Sequence, residues 1–285
     1  MLTDARVAVI IPAAGVGRRF APAAAGAAPS ASKLELDLAG KPVFLRSVEL
    51  FLSRRDVAAV LLAVHPETLD EFRFRWGDKL AFHGVRLVPG GLRERWETVK
   101  LALAQVPTGC THIAVHDAAR PLATAGLIDR VFEAGLRHGA AFPGEPVSPT
   151  LRRVAELPVV DEPDPLAGIL GDVGAPKPAA RWRALETVDR AHLVAVQTPQ
   201  VFEAGLLRRA YAQIDEGRID PAGVTDDAGL VAALGVEVVV VEGEASNLKI
   251  TRPQDVELAR ALIERREAPQ RQELAKKRLF LDDEG

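Results

Sequence analysis

Glycines and arginines stand together directly after an apolar run near the start of the chain. The run is Val7–Ile11, and residues 12–20 after it read PAAGVGRRF, with Gly15, Gly17 and Arg19 among them. Backbone N–H groups of a glycine-rich turn can surround phosphate oxygens, and guanidinium groups can neutralise the phosphate charge. The pattern therefore predicts a loop that binds a polyanion such as a triphosphate.

Three other interpretations of this loop can be compared with its residues. A dinucleotide-binding fingerprint requires a third glycine where Phe20 stands, and the G-K-[ST] ending of a P-loop is absent. A dinucleotide-dependent oxidoreductase is therefore disfavoured. A tight turn between a strand and a helix, with solvated arginines, remains an alternative for this segment taken alone.

A carboxylate stands at the same kind of position after another apolar run. The predicted strand Thr111–Val115 is followed by HDAARP, in which the acid is Asp117. Ligands of open parallel sheets bind beyond the carboxyl ends of the strands, so the two loops are expected to open on one crevice. A hard carboxylate oxygen suits Mg²⁺, and Asp117 is predicted as its ligand. An Asp that only caps a turn is the alternative.

Short apolar runs alternate with amphipathic helical patterns along most of the chain. This alternation predicts an α/β fold, with a mainly parallel, Rossmann-like sheet flanked by helices and a protruding arm. The predicted strands are Val7–Ile11, Val57–Val64, Val85–Val88, Thr111–Val115 and Val236–Val241, and the predicted helices are Pro42–Arg54, Glu67–Leu80, one through Trp96 and Leu103, one through Leu127 and Leu136, and Gln254–Arg265.

Three segments interrupt the alternation. Residues 21–32 are rich in Ala, Pro, Gly and Ser, which is typical of a lid or loop. The segment Ala155–Leu185 predicts an irregular arm, at about 150–190, inserted in a single domain that spans residues 1–266. Residues 267–285 are charged and weakly periodic, which predicts a frayed tail with at most one helical turn.

The composition excludes several classes of protein. The chain has 285 residues, of which 48% are hydrophobic, and a net charge of −3. It can bury a full core, and it has no general basic surface for nucleic acid. One cysteine indicates no disulfide framework and favours a cytoplasmic location. Neither a membrane span nor a signal peptide is expected from the apolar runs.

Further motifs accompany the loop in a fixed order. With AAGVGRR they resemble the nucleotidyltransferase superfamily and, within it, the family of 2-C-methyl-D-erythritol 4-phosphate cytidylyltransferases. The motifs are GGLRERWETV at residues 90–99, VHDAARP at 115–121, TVDR at 187–190, QTPQVF at 197–202, TDDAGLV at 225–231 and EGEASNLKIT at 242–251.

The resemblance implies CMP transfer from CTP to 2-C-methyl-D-erythritol 4-phosphate, with Mg²⁺ as cofactor and release of pyrophosphate. It implies catalytic cations, a nucleotide site, an acceptor site and one metal ligand. The implied residues are Arg19, Lys33 and Lys249 as the cations; Pro12, Ala13, Ala14, Gly15, Gly17, Gly91, Arg95 and Thr98 at the nucleotide; Thr150, Arg190, Thr198 and Arg120 at the acceptor; and Asp117 at the metal.

The resemblance also implies a homodimer in which the arm carries acceptor-binding residues to the neighbouring subunit. Several features depart from the family pattern. Ser32 replaces a proline before Lys33 and the loop there is longer, one extra residue precedes Arg95, Thr98 stands at a serine position, and Pro149 replaces an aspartate before Thr150. Because Pro149 lies beside a predicted acceptor residue, another polyol phosphate such as ribitol 5-phosphate is an alternative acceptor. A sugar-1-phosphate nucleotidyltransferase and a catalytically inactive nucleotide-binding regulator are the more distant alternatives.

Overall fold

The computed structural model describes residues 5–15, 33–156 and 182–282. The chain divides into two compact units. The larger contains Met1–Glu145 and Val196–Gly285, and the smaller is Pro146–Ala195.

Strands and helices alternate through the larger unit. The strands of the described chain are β1 (Val7–Ala13), β2 (Asp37–Leu38), β3 (Lys41–Pro42), β4 (Val57–Val64), β5 (Val85–Pro89), β6 (His112–Val115), β7 (Ala140–Pro146), β8 (Leu151–Glu156), β9 (Trp182–Val188), β10 (Val194–Val196), β11 (Gln200–Glu203) and β12 (Val239–Glu242). The helices are α1 (Val43–Leu52), α2 (Leu69–Phe82), α3 (Arg95–Leu103), α4 (Ala125–His138), α5 (Ala204–Asp215), α6 (Asp227–Ala232) and α7 (Pro253–Asp282), with short 3₁₀ turns at Pro66–Thr68 and Pro221–Gly223.

The main sheet is mostly parallel and has β1 in its middle. Its order is β7-β11-β6-β1-β4-β5, and β12 pairs in parallel with β7. The chain leaves β1 toward β4 and β5 on one side and later returns as β6 on the other side. The strand order thus reverses between β1 and β6, which is where such sheets bind ligands. The predicted fold class is confirmed.

Alternation along β1 divides the core between the two faces of the sheet. All five residues of Val7–Ile11 are fully buried. Val7, Val9 and Ile11 join one apolar cluster with side chains of α1, α4 and α7. The intervening residues join a second cluster with side chains of α3 and α5. Helices cover both faces, which explains why the strand is apolar throughout.

Several elements differ from the sequence prediction, and the strand β7 and the helix α5 are among those that it lacks. The strand β11 was not predicted, and it runs antiparallel between β6 and β7. The expectation of a frayed tail is wrong, because α7 continues to Asp282. Residues 267–282 are rich in Ala, Glu, Gln, Lys, Arg and Leu, which favour helix at exposed positions. Weak periodicity in the sequence therefore did not exclude a helix.

The smaller unit is built on an antiparallel pair, in which β8 faces β9 from Leu151↔Val188 to Glu156↔Trp182. The expected irregular segment therefore begins and ends in strands, and residues 157–181 lie outside the described residues, as does the predicted lid at 21–32. No helix in the described ranges is long and apolar enough to cross a membrane.

Candidate active site

The candidate site lies at the carboxyl ends of β1, β5 and β6. Ala14 and Gly15 follow β1, Gly90 follows β5, and Asp117 comes two residues after β6 ends. A Cβ atom built on Gly90 would lie 2.8 Å from the Cβ of Ala14 and 2.9 Å from Cγ2 of Thr98. Glycine therefore lets the β1 and β5 loops and the start of α3 come together at the sheet edge.

Replacing Gly90 by alanine should disturb this contact. The methyl group would require Ala14 or Thr98 to move, and overpacking of this kind costs about 1–3 kcal/mol. Urea unfolding should show the loss of stability, and CTP titration should show weaker binding because Ala14 is displaced. Gly223→Ala is the control, since a Cβ there meets nothing within 4 Å. Equal stability of the two variants would contradict the prediction.

Asp117 is the centre of a cluster of cations. Its Oδ2 lies 2.8 Å from Nζ of Lys249 and 3.6 Å from Nε of Arg120, and its Oδ1 accepts a hydrogen bond of 3.1 Å from Nε of Arg95. The residue is only 7% exposed. Burial by itself raises the pKa of Asp117, but Arg95, Lys249 and Arg120 outweigh it and hold that pKa well below its ordinary value. The carboxylate is therefore ionised at neutral pH.

Arg95 joins Asp117 to a second buried carboxylate. Its Nη1 donates to Oδ2 of Asp227 at 2.7 Å, and the hydroxyl of Tyr211 donates to Oδ1 of Asp227 at 2.6 Å. Burial lowers the pKa of Arg95, but the two carboxylates outweigh burial and raise it. Burial and Asp227 together raise the pKa of Tyr211, which keeps its proton. Three cations (Arg95, Arg120, Lys249) thus meet two carboxylates, leaving one net positive charge.

Side chains behind Asp117 fix the loop that carries it. The backbone N–H of Asp117 donates to Oγ1 of Thr198 at 3.0 Å, and Nδ1 of His116 lies 3.2 Å from the same oxygen. The other ring nitrogen of His116 lies 3.0 Å from the carbonyl oxygen of Arg120. His116 is fully buried and packs edge-on against Phe51. Thr198 and His116 therefore set the direction in which Asp117 leaves the strand.

Protonation of His116 should weaken the fold at acidic pH. Burial lowers the pKa of His116 from 6.5 to about 4. Between these values the unfolded chain binds the proton first, so stability falls as the pH drops from about 6.5 to about 4, by about 3 kcal/mol in all. Urea unfolding across this range should show that loss in the wild type and not in His116→Gln. Parallel stability curves for the two proteins would refute it.

The loop before α7 carries Lys249 to the cluster and also contacts Lys33. Arg120 donates from Nη1 to the carbonyl of Asn247 at 2.6 Å, and Asn247 donates to the carbonyl of Thr198 at 2.9 Å. These bonds hold the segment that ends in Lys249. Nζ of Lys33 donates to the carbonyl of Ile250 at 3.1 Å, next to Lys249. Lys33 and Lys249, far apart in sequence, are thereby brought to the same edge of the sheet.

The donor chemistry around Asp117 can be tested for its fit to Mg²⁺. Within residues 5–15, 33–156 and 182–282, no group of three His, Cys, Asp or Glu side chains could hold a metal ion. Asp117 supplies one hard carboxylate at the crevice, and Mg²⁺ commonly uses one or two carboxylates together with substrate phosphates. The residues therefore fit an ion that would arrive bound to a triphosphate and take Asp117 as its protein ligand.

The structure brings together several predicted residues in the larger unit. At the sheet edge it gathers Pro12, Ala13, Ala14, Gly15, Lys33, Gly91, Arg95, Thr98, Asp117, Arg120, Thr198 and Lys249. Gly17 and Arg19 lie outside the described residues. Thr150 and Arg190 are exposed and belong to the smaller unit, where Arg190 donates to the carbonyl of Ser148.

Three predicted residues have side chains engaged by the protein itself. Arg95 gives its Nε and Nη1 to Asp117 and Asp227, and Arg120 gives Nη1 and Nη2 to the carbonyls of Asn247 and Val196. Thr98 accepts a hydrogen bond from the N–H of Gly91 at 3.0 Å. In this structure these side chains bind other protein groups, and so they hold the loops of the site in place.

Sequence reasoning missed Asp227, Tyr211, Gln200 and Asn247, although all but Tyr211 lie within the motifs quoted above. A buried polar residue inside an apolar motif is a usable signal, because such a group must find a partner. The motif TDDAGLV offered that signal at Asp227, which is fully buried.

Comparisons with known proteins show the family of this chain. The family model IspD, 2-C-methyl-D-erythritol 4-phosphate cytidylyltransferase, matches residues 7–168 and 177–265. A relative of that name from Acidobacterium capsulatum is 36% identical over 92% of this chain and 98% of its own. Another from Streptomyces avermitilis is 36% identical over 93% of this chain and 94% of its own.

A solved structure adds to the sequence matches. The crystal structure of 2-C-methyl-D-erythritol 4-phosphate cytidylyltransferase from Thermus thermophilus is 33% identical and has a TM-score of 0.64. The match covers 90% of this chain and 98% of that one. The chain therefore belongs to the 2-C-methyl-D-erythritol 4-phosphate cytidylyltransferase family.

Proposed function

We propose that this chain transfers CMP from CTP to 2-C-methyl-D-erythritol 4-phosphate, giving 4-diphosphocytidyl-2-C-methyl-D-erythritol and pyrophosphate in non-mevalonate isoprenoid synthesis. The observation that carries the proposal is Asp117, held among Arg95, Arg120 and Lys249 at the point where the strand order reverses. A net positive crevice at that point suits two phosphorylated substrates. Membership of the family supplies the identity of both substrates.

The acceptor phosphate is the nucleophile in this reaction. One of its oxygens attacks the α-phosphorus of CTP, a new P–O bond forms in line, and pyrophosphate leaves with the electrons of the broken P–O bond. The phosphate is already ionised near neutral pH, so no side chain has to remove a proton. Catalysis consists of alignment and of stabilising the negative charge that spreads in the transition state.

The cations divide this work according to their chemistry. Lys33 and Lys249 supply movable point charges at the reacting phosphates, and Arg19 supplies a planar group that can grip two oxygens. Ala13, Ala14 and Gly15 leave space for the cytosine ring, and their backbone groups can bind its edge. Asp117 would hold Mg²⁺, which when bound neutralises phosphate charge and orients the triphosphate.

The proposal includes a homodimer with acceptor residues shared between subunits. Large apolar side chains are exposed in the smaller unit, and exposed apolar groups of this kind commonly mark a protein interface. They are Val154, Trp182, Leu185, Leu193 and Val194, which are 36–61% exposed. A cytoplasmic location completes the proposal, since the chain has a single cysteine and uses CTP.

Pyrophosphate release tests the choice of acceptor. The full chain is incubated with CTP and Mg²⁺, with 2-C-methyl-D-erythritol 4-phosphate in one reaction and ribitol 5-phosphate in another. Release with the first alone supports the proposal and makes Pro149 a tolerated change. Release with the second alone would keep the chemistry and overturn the acceptor. UTP and GTP serve as nucleotide controls and should give no release.

Arg190→Ala should weaken use of the acceptor and leave CTP binding unchanged. The guanidinium is exposed and held by the Ser148 carbonyl, two residues from Thr150, so it is available to an acceptor phosphate. We expect KM for the acceptor to rise about tenfold or more, as for loss of a charged hydrogen bond. Arg153→Ala, which removes an exposed arginine paired with Glu186, is the matched control. Unchanged acceptor kinetics would remove Arg190 from the site.

A further inference from the structure

A buried chain of hydrogen bonds leads from helix α5 to Asp117. Tyr211 donates to Asp227 at 2.6 Å, Arg95 donates to the other oxygen of Asp227 at 2.7 Å, and the same guanidinium donates to Oδ1 of Asp117 at 3.1 Å. Tyr211 is 2% exposed and Asp227 is fully buried. We name these three residues, Tyr211, Asp227 and Arg95, the Arg95 clamp.

Stability alone does not explain the Arg95 clamp. Moving a carboxylate and a guanidinium out of water costs free energy. Apolar side chains of similar volume often stabilise a core at least as much as a buried ion pair does. The arrangement does fix the orientation of the Arg95 guanidinium. Asp227 and Asp117 hold two different nitrogens of one planar guanidinium, so Arg95 cannot rotate without losing one of them.

The backbone around Asp227 is tied to the strand beside the site. The amide of Gln200 donates to Asp226 at 2.8 Å and accepts from the N–H of Ala228 at 2.9 Å. Gln200 pairs with Val115, the last residue of β6 and two residues before Asp117. Both neighbours of Asp227 are therefore anchored to the strand β11, which lies next to the strand that carries Asp117.

We infer that Asp227 and Tyr211 are positioning residues for the transfer reaction, acting through Arg95 on Asp117. Arg95 holds Oδ1 of Asp117, and Oδ2 lies 2.8 Å from Nζ of Lys249. Asp117 held in this way would bind the metal ion that accompanies the triphosphate. Neither Asp227 nor Tyr211 has to touch a substrate. The inference rests on the proposed function, since it assigns Asp117 to the magnesium–CTP complex.

The test uses Asp227→Asn and Tyr211→Phe in the full chain. CTP binding is measured by calorimetry over a series of Mg²⁺ concentrations, and kcat and KM are measured beside it. Loss of a side chain that orients a metal ligand costs about 10–100-fold in metal affinity or activity. Each variant should need about tenfold more Mg²⁺ for half-maximal CTP binding, and kcat should fall while KM for the acceptor stays the same.

Asp226→Asn is the matched control. It removes one carboxylate charge from the same turn. Its Oδ1 can still cap α6, it loses only the hydrogen bond that Gln200 donates to Oδ2, and none of its hydrogen bonds involves Arg95. Its magnesium dependence should equal that of the wild type. A magnesium requirement that shifts equally in Asp226→Asn and Asp227→Asn would overturn the inference, because a general charge effect would then explain it.

The double variant Asp227→Asn/Tyr211→Phe separates a clamp from two independent structural effects. If Tyr211 acts only through Asp227, the double variant should need no more Mg²⁺ than Asp227→Asn alone. Multiplied effects, or variants that lose thermal stability with unchanged magnesium dependence, would overturn the inference. Failure of the proposed function is distinct: the wild type would then bind CTP with Mg²⁺ but release no pyrophosphate with either acceptor.

Discussion

Asp117→Asn should lose most of its turnover, with kcat falling about 10²–10³-fold or more, because the substitution removes two functions at once. The amide lacks the carboxylate charge that would hold Mg²⁺ in the proposed site. It also withdraws the charge that holds Lys249 at 2.8 Å and Arg120 at 3.6 Å. Arg95 would still pair with Asp227, but Lys249 and Arg120 would lose the carboxylate that they contact, and the mutual repulsion of the three cations would widen the crevice.

The same substitution is expected to cost stability, and the experiment has to separate the two effects. Removing one partner of a buried ion pair costs about 3–5 kcal/mol. Turnover is therefore compared at a temperature where circular dichroism shows both proteins fully folded. Asp56→Asn is the control, since Asp56 pairs with Arg54 directly before β4, at the opposite end of that strand from the site. Magnesium-dependent turnover within a few-fold of the wild type would remove Asp117 from the metal site.

Lys33→Ala should lower kcat by about 10²–10³-fold and change KM for CTP only slightly. The ammonium donates to the carbonyl of Ile250, the residue after Lys249, whose own ammonium contacts Asp117. Its contact with phosphate should strengthen as negative charge spreads in the transition state, and interactions of that kind raise kcat rather than affinity.

Lys41→Ala provides the comparison for Lys33. Lys41 is another partly exposed lysine, paired with Glu49 on helix α1, and its loss should leave both kinetic constants unchanged. A rise in KM with unchanged kcat in Lys33→Ala would mean that Lys33 binds CTP equally in the ground and transition states. That outcome would contradict its assignment to the transition state.

Five strands of the main sheet, β1, β4, β5, β6 and β12, could be predicted because their signals are local. Val57–Val64 is a continuous apolar run, and the structure has a strand with those bounds. The glycine-rich loop and HDAARP were expected on one edge from the rules of parallel sheets alone, and Ala14 and Asp117 do follow the adjacent strands β1 and β6. Such inferences need only strand order and strand direction.

What could not be predicted depends on contacts between distant residues. Arg95 and Asp227 are 132 positions apart, and neither motif indicates that the two side chains are in contact. The strand β11 has four residues, too few to establish a period of two. Its place between β6 and β7 follows from hydrogen bonds to those neighbours, which no local pattern encodes.

The most direct test of the central claim is ³¹P NMR of a reaction of the full chain with CTP, Mg²⁺ and 2-C-methyl-D-erythritol 4-phosphate. The account predicts that the acceptor's monophosphate signal disappears while a diphosphate diester and pyrophosphate appear in equal amounts. A spectrum in which CTP and the acceptor persist unchanged, with the protein folded and Mg²⁺ present, would contradict it.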